Sequence, residues 1–171
     1  MTPSLAPEWE VSYWFNTPEN LSLARLRGRP ILALAFQMLC PSCVTSSLPQ
    51  VQRARAAFAE SDLVILGLHT VFEHHETQGT RAALAAFIHE YKVRFPVASD
   101  APGDAEFTPR TMGLYGMKGT PTTLLIDRAG VLKMQVFGHI DDMRLGAAVA
   151  ALLASASDSG CDDGVCAIDA G

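Results

Sequence analysis

The chain has 171 residues, 49% of them hydrophobic and 18% charged, and a formal charge of −5. That length sets one domain as the expectation, with roughly 70% of the unfolded surface buried on folding. The acidic balance, with no Lys/Arg cluster to offset it, argues against a nucleic-acid partner. No apolar run approaches the ~18 residues of a membrane span.

Taken in order, Met1 to Glu10 lacks a basic start and an apolar core, so it does not read as a secretory signal. The expected compartment is therefore the cytosol, or the periplasm if a signal has been trimmed away. Residues 1–10 read as an N-terminal arm. Residues 11–15 are strand-like and 16–20 carry turn chemistry. Residues 21–26 form a short apolar–polar element closed by Arg27-Gly28-Arg29-Pro30. The run Ile31-Leu32-Ala33-Leu34-Ala35-Phe36 has the uninterrupted apolar character of a strand covered on both faces.

A helix is predicted after Cys43, kinked at Pro49 because proline has no N–H and crowds the turn before it. Val51, Ala54 and Phe58 keep helical spacing beyond it. Residues 63–68 repeat the buried-strand pattern. Residues 81–92 read as a helix with Leu84, Ile88 and Tyr91 on one face and Thr80 as its N-cap. Residues 95–98 are a short strand, 99–110 a loop rich in Pro, Gly and Asp, followed by a helical piece to Tyr115. Residues 122–126 and 131–137 form a hairpin across Asp127-Arg128-Ala129-Gly130. Asp141 or Asp142 caps a last helix with Leu145, Val149 and Leu152 on one face. Residues 11–154 make the domain, and 155–171 read as a flexible acidic tail. Strands alternating with helices, then a hairpin and a helix, predict an α/β sandwich on a mixed sheet.

Cys40-Pro41-Ser42-Cys43 lies between the buried strand and the following helix. Two thiols at that spacing can close and reopen a small ring, and a helix N-terminus favours thiolate at the first of them. The functional reading is attack by Cys40 on a disulfide and displacement by Cys43. The same pair is also compatible with half of a zinc site or with two buried thiols, and the strand before and helix after favour redox chemistry.

Lys118-Gly119-Thr120-Pro121-Thr122 is the second mark, by itself only a turn before a strand. Gly28-Arg29-Pro30, the apolar strand, Cys40-Pro41-Ser42-Cys43, Pro49 and the stretch from Tyr115 to Gly130 together resemble the thioredoxin fold. They look most like its TlpA-like thiol–disulfide oxidoreductase and AhpC/TSA-type redoxin branches, over residues 11–154. The resemblance implies a thioredoxin-like three-layer sandwich, with a central mixed sheet flanked by helices. It adds an N-terminal strand and an inserted strand–helix unit within residues 69–98. It also implies that Cys40 attacks, Cys43 resolves, Pro121 is a cis-proline facing them, and the Thr120 backbone pairs with an extended substrate. No cofactor is implied. The implied partners are a disulfide-containing protein or small thiol and an electron donor.

Several positions depart from that pattern. Leu39 stands where a Trp commonly precedes the first Cys, and Leu34 where thioredoxins keep a buried Asp. Val44-Thr45-Ser46-Ser47 offers no acid beyond the second Cys, so no proton acceptor for Cys43 is visible, and Pro41-Ser42 is not the Gly-Pro of thioredoxin, so the direction of electron flow stays open. The rival in the same fold is a thiol peroxidase. Its Pro-x-x-x-Thr/Ser-x-x-Cys signature fails at both cysteines, giving Ala33 and Gln37 before Cys40, and Phe36 and Cys40 before Cys43. A copper or zinc carrier of the Sco-like kind would have three residues between the cysteines, and here there are two.

Outside these marks, His69, His74 and His75 follow the second buried strand as candidates for proton transfer or metal binding, weighed against a plain polar loop. Cys161 and Cys166 form a second pair in the acidic tail: an accessory redox dithiol, a soft-metal site, or inert. Asp162 and Asp163 should make them poorer nucleophiles than Cys40. Trp9, Trp14, Phe15, Met112, Met117 and Met134 are candidates for a peptide groove near the site, and are read chiefly as core.

Overall fold

The apolar runs and the turns between them fold into a six-stranded sheet with helices on both faces. The computed structural model describes residues 5–104 and 108–155. The elements are β1 (Val11–Phe15), β2 (Ile31–Phe36), a π-helical turn (Cys43–Ser47) running into α1 (Leu48–Ala57), β3 (Val64–His69), α2 (His75–Gln78) and α3 (Arg81–Glu90). They continue with β4 (Val97–Asp100), α4 (Arg110–Leu114), β5 (Thr122–Ile126), β6 (Leu132–Phe137) and α5 (Asp142–Ala154). The strand order is β1-β4-β3-β2-β5-β6. β2, β3 and β4 are parallel neighbours, β5 runs antiparallel to β2, and β1 and β6 close the edges antiparallel. This is the mixed sheet of a thioredoxin-like sandwich, as the sequence led us to expect.

Full burial of β2, β3 and β5 reflects cover on both sheet faces. One face packs Leu32, Leu34 and Phe36 against α1, α3 and α5 through Leu48, Val51, Leu84, Phe87, Leu145 and Val149. The other packs Ala33, Ala35, Leu66 and Leu124 against Trp9, Trp14, Leu23, Met112 and Met117. Of the segment read as an arm, Ala6 and Trp9 pack on this second face. Ala6 and Trp9 are buried, the Ala6 N–H donates to the Gly130 carbonyl at 2.8 Å, and the Glu8 carboxylate accepts the Leu23 and Ala24 N–H groups.

Local chemistry sets the helix ends. The Thr80 hydroxyl accepts the Ala83 N–H at 3.1 Å, capping α3. Asp141, rather than Asp142, caps α5 by accepting the Met143 and Arg144 N–H groups. The break expected at Pro49 is a π-helical turn just before it, in which the Leu48 N–H reaches back five residues to the Cys43 carbonyl.

Two elements differ from the expectation by two residues. The α3 helix ends at Glu90, so Tyr91 is exposed and stacks on Phe87 at 4.4 Å, and Phe87 takes the inward position. β4 starts at Val97 and runs to Asp100, two residues past the expected strand, while Phe95 fills the core from the loop before it. The inserted unit therefore comprises α2, α3 and β4.

The parallel register aligns Phe36 with His69 and His69 with Ser99, so the chain leaves β2, β3 and β4 at one end of the sheet. β5 begins at that end, with Thr122 opposite Ala35. The loops holding Cys40, Glu73 and Pro121 converge there.

Candidate active site

Cys40 is reached by a tight turn after β2, in which its N–H donates to the Gln37 carbonyl at 3.2 Å. Cys40 and Cys43 form a disulfide with a Cα–Cα distance of 5.2 Å. Cys40 is half-buried and Cys43 fully buried, an outer sulfur and an inner one. The Cys43 N–H points at the Cys40 Sγ, 3.3 Å away. No acidic residue occupies the first turn of the helix that starts there. A thiolate at Cys40 would thus meet a backbone donor and the positive end of the helix, both of which favour the charged form.

The Thr120–Pro121 peptide bond is cis. The Thr120 carbonyl oxygen lies 3.6 Å from the Cys40 Sγ. The loop is held by the Thr122 hydroxyl, which donates to the Gly119 carbonyl at 2.7 Å, and by the Gly138 N–H, which donates to the Pro121 carbonyl at 2.8 Å. The structure thus brings Cys40, Cys43, Thr120 and Pro121 together. Leu39 and Phe137 are large apolar side chains left 49% and 56% exposed on segments adjoining Cys40 and Thr120. Phe137 packs close to Gly119, where an added Cβ would meet its ring at 2.8 Å.

The three histidines part company. His69 is buried at the end of β3, against Phe36 at 5.4 Å between ring centres. Burial lowers its pKa from 6.5 to about 4, opposed by a hydrogen bond with Gln78, and its Nε2 has no hydrogen-bond partner. His74 and His75 are exposed at the start of α2. Among the described residues no three His, Cys, Asp or Glu side chains converge to hold a metal. Cys161 and Cys166 lie outside the described residues.

Three polar residues at this end of the sheet were not singled out in the sequence. Gln37 and Gln78 are buried and hydrogen-bonded to each other at 2.9 Å. Buried Ser47, one turn past Cys43, contacts the exposed His139 ring at 3.3 Å between Oγ and Nδ1. The one available signal was Gln37 itself, a polar residue directly after an unbroken apolar strand.

A family model described as AhpC/TSA matches residues 4–135. The chain belongs to the AhpC/TSA family. It is 30% identical over 137 residues to the thiol:disulfide interchange protein DsbE of Pseudomonas aeruginosa, a match covering 79% of this chain and 66% of that protein. The chain therefore spans slightly less than two thirds of that relative's length. Among solved structures, a thioredoxin-like superfamily protein is 52% identical with a TM-score of 0.84, over 87% of this chain and 96% of the other. A thiol-disulfide isomerase from Corynebacterium glutamicum is 41% identical, also with a TM-score of 0.84, over 89% and 97%. The DsbE relative and the Corynebacterium glutamicum structure are both named for thiol–disulfide exchange. These relatives lend no support to the cytosolic expectation. Among the described residues no helix is long and apolar enough to cross a membrane.

Proposed function

We propose that this AhpC/TSA member is a thiol–disulfide oxidoreductase in which Cys40 exchanges with the substrate and Cys43 resolves. The observation that carries the reading is the Cys40–Cys43 disulfide, whose outer sulfur lies 3.6 Å from the carbonyl preceding cis-Pro121. In the reducing direction, the Cys40 thiolate attacks one sulfur of a substrate disulfide. A Cys40–substrate disulfide forms and the other substrate sulfur leaves as thiolate. The Cys43 thiol gives up its proton and attacks the Cys40 Sγ, closing the Cys40–Cys43 disulfide and releasing the second substrate thiolate. Two electrons pass from the dithiol to the substrate, and a dithiol donor restores the pair. The oxidising direction is the reverse sequence.

The half-buried outer sulfur and the buried inner one suit this division of labour. The exposed Leu39 and Phe137 favour an extended polypeptide disulfide over a small thiol, because they offer apolar contacts beside Cys40 and Thr120. Gln37 stands at the position where the peroxidase signature before Cys40 needs a Thr or Ser hydroxyl, and its amide is already engaged by Glu73, Thr120, Phe72 and Gln78.

The test compares wild type with Cys40→Ser and Cys43→Ser in reduction of a protein disulfide by a dithiol. Cys40→Ser should abolish turnover, and Cys43→Ser should accumulate a Cys40–substrate disulfide visible by non-reducing electrophoresis. Full turnover in Cys40→Ser sinks the assignment. Peroxide consumption at enzymatic rates without disulfide turnover moves the protein to the peroxidase class.

A further inference from the structure

The segments on either side of Cys40 are joined by two buried amides. Gln37 is 1% exposed and Gln78 is 0% exposed. The Gln37 Nε2 donates to the Glu73 carboxylate at 3.3 Å and to the Thr120 hydroxyl at 3.5 Å. Its Oε1 accepts the Phe72 N–H at 3.4 Å and the Gln78 Nε2 at 2.9 Å. The Gln78 Nε2 also donates to the Glu73 carbonyl at 2.8 Å, and the Gln78 Oε1 accepts the Leu39 N–H at 3.2 Å. Both N–H donors and the carbonyl oxygen of each amide are therefore engaged.

This connectivity has a direction. Gln78 is the last residue of α2, in the inserted unit, and it grips the backbone one residue before Cys40. Gln37, three residues before Cys40, holds the Thr120 side chain across the site. The turn from Gln37 to Cys40 belongs to no strand or helix, so the amides supply what a regular ladder supplies elsewhere. Side chains held by fully satisfied buried networks are fixed more tightly than side chains on free loops.

We propose that Gln78, acting with Gln37, is a positioning residue that sets Cys40 against Thr120 and Pro121 for disulfide exchange. The proposal rests on the assignment of Cys40 as the exchanging thiol. An apolar side chain at Gln78 removes the partner of the Leu39 N–H and of the Glu73 carbonyl, and leaves the Gln37 Oε1 with the Phe72 N–H alone. The turn then reseats to recover hydrogen bonds, and Cys40 moves with it.

The experiment uses the full chain as Gln78→Met, Gln37→Met, the double variant and Cys40→Ser, each checked for folding by thermal denaturation. Three readouts are taken: kcat and KM for reduction of insulin disulfides, the pH profile of Cys40 alkylation by iodoacetamide, and the reduction potential. Gln78→Met is expected to lower kcat/KM about tenfold, mostly through kcat, and to displace the alkylation midpoint. The double variant should be no worse than the more affected single one, because the two amides act as one unit. If Gln78→Met does not fold, Gln78→Ala, smaller and equally unable to hold the Leu39 N–H, carries the same readouts. An alkylation profile and kcat/KM equal to wild type in a folded Gln78 variant overturn the positioning role, as does simple additivity with Gln37→Met. Loss of turnover in Cys40→Ser beside an unchanged Gln78 variant rejects this inference alone. Retained turnover in Cys40→Ser rejects the active-site assignment beneath it.

Discussion

Acidification from pH 7 to pH 5 should destabilise this protein through His69, and the size of the effect follows from the site. The imidazole is buried, and its pKa falls from 6.5 to about 4 because burial penalises the charged ring. Between those values the unfolded chain binds a proton that the folded chain refuses, so stability rises with pH and falls as the solution is acidified. The loss begins near pH 6.5, accumulates toward pH 4, and totals roughly 3 kcal/mol by linkage. By pH 5 about 2 kcal/mol of it should be gone. Asp100 works in the opposite sense: burial raises its pKa, against hydrogen bonds from Thr111, Met112 and Thr70, so the folded state gains relative stability as that carboxylate takes up a proton. The measurement is therefore a difference between two proteins. Urea midpoints are recorded at pH 7 and pH 5 for wild type and for His69→Asn, which keeps a polar partner for Gln78. With an m-value of about 1–3 kcal/mol/M, the wild-type midpoint should drop by about 1 M more than that of the variant. Equal drops in the two proteins would refute the reasoning, whatever the absolute stabilities.

Asp141→Ala removes the side chain that accepts the Met143 and Arg144 N–H groups in the first turn of α5. It should cost about 1 kcal/mol in denaturant unfolding, with turnover of the folded enzyme unchanged. For the tail, we propose exchange between its dithiol and Cys40. Mild oxidation of the Cys43→Ser protein should trap an intramolecular disulfide between Cys40 and Cys161 or Cys166, read by peptide mapping. Recovery of Cys40 as a free thiol or an intermolecular dimer alone would remove that role from the tail.

How much of this site could be read from the chain depends on whether its causes are local. β2 and β3 were legible because an apolar run has one inexpensive home, a strand covered on both faces. Cys40 and Cys43 were legible because the strand–turn–helix that sets them is continuous in sequence. Their nearness to Pro121 came from a family resemblance and not from spacing. Tyr91 was misplaced because helical periodicity says nothing about where the helix stops; it ends one residue earlier, and Phe87 turns inward.

The amides were hidden for a stronger reason. Gln37 and Gln78 each look like loop residues, and they become a network only where parallel strands release their loops at the same end of the sheet. The two departures noted at the outset belong to this argument. Leu34 is fully buried and Leu39 half exposed, so neither puts a polar group beneath Cys40. Gln37, Gln78 and His69 bring polarity to that end of the sheet instead, from three separate segments. Two neutral amides and a neutral imidazole impose a smaller burial penalty than a carboxylate, provided that their hydrogen bonds are made. The amides meet that condition, and the imidazole leaves its Nε2 without a partner. His69 Nε2 is consequently the point at which the network is open to protonation, and the pH response of the fold should originate there.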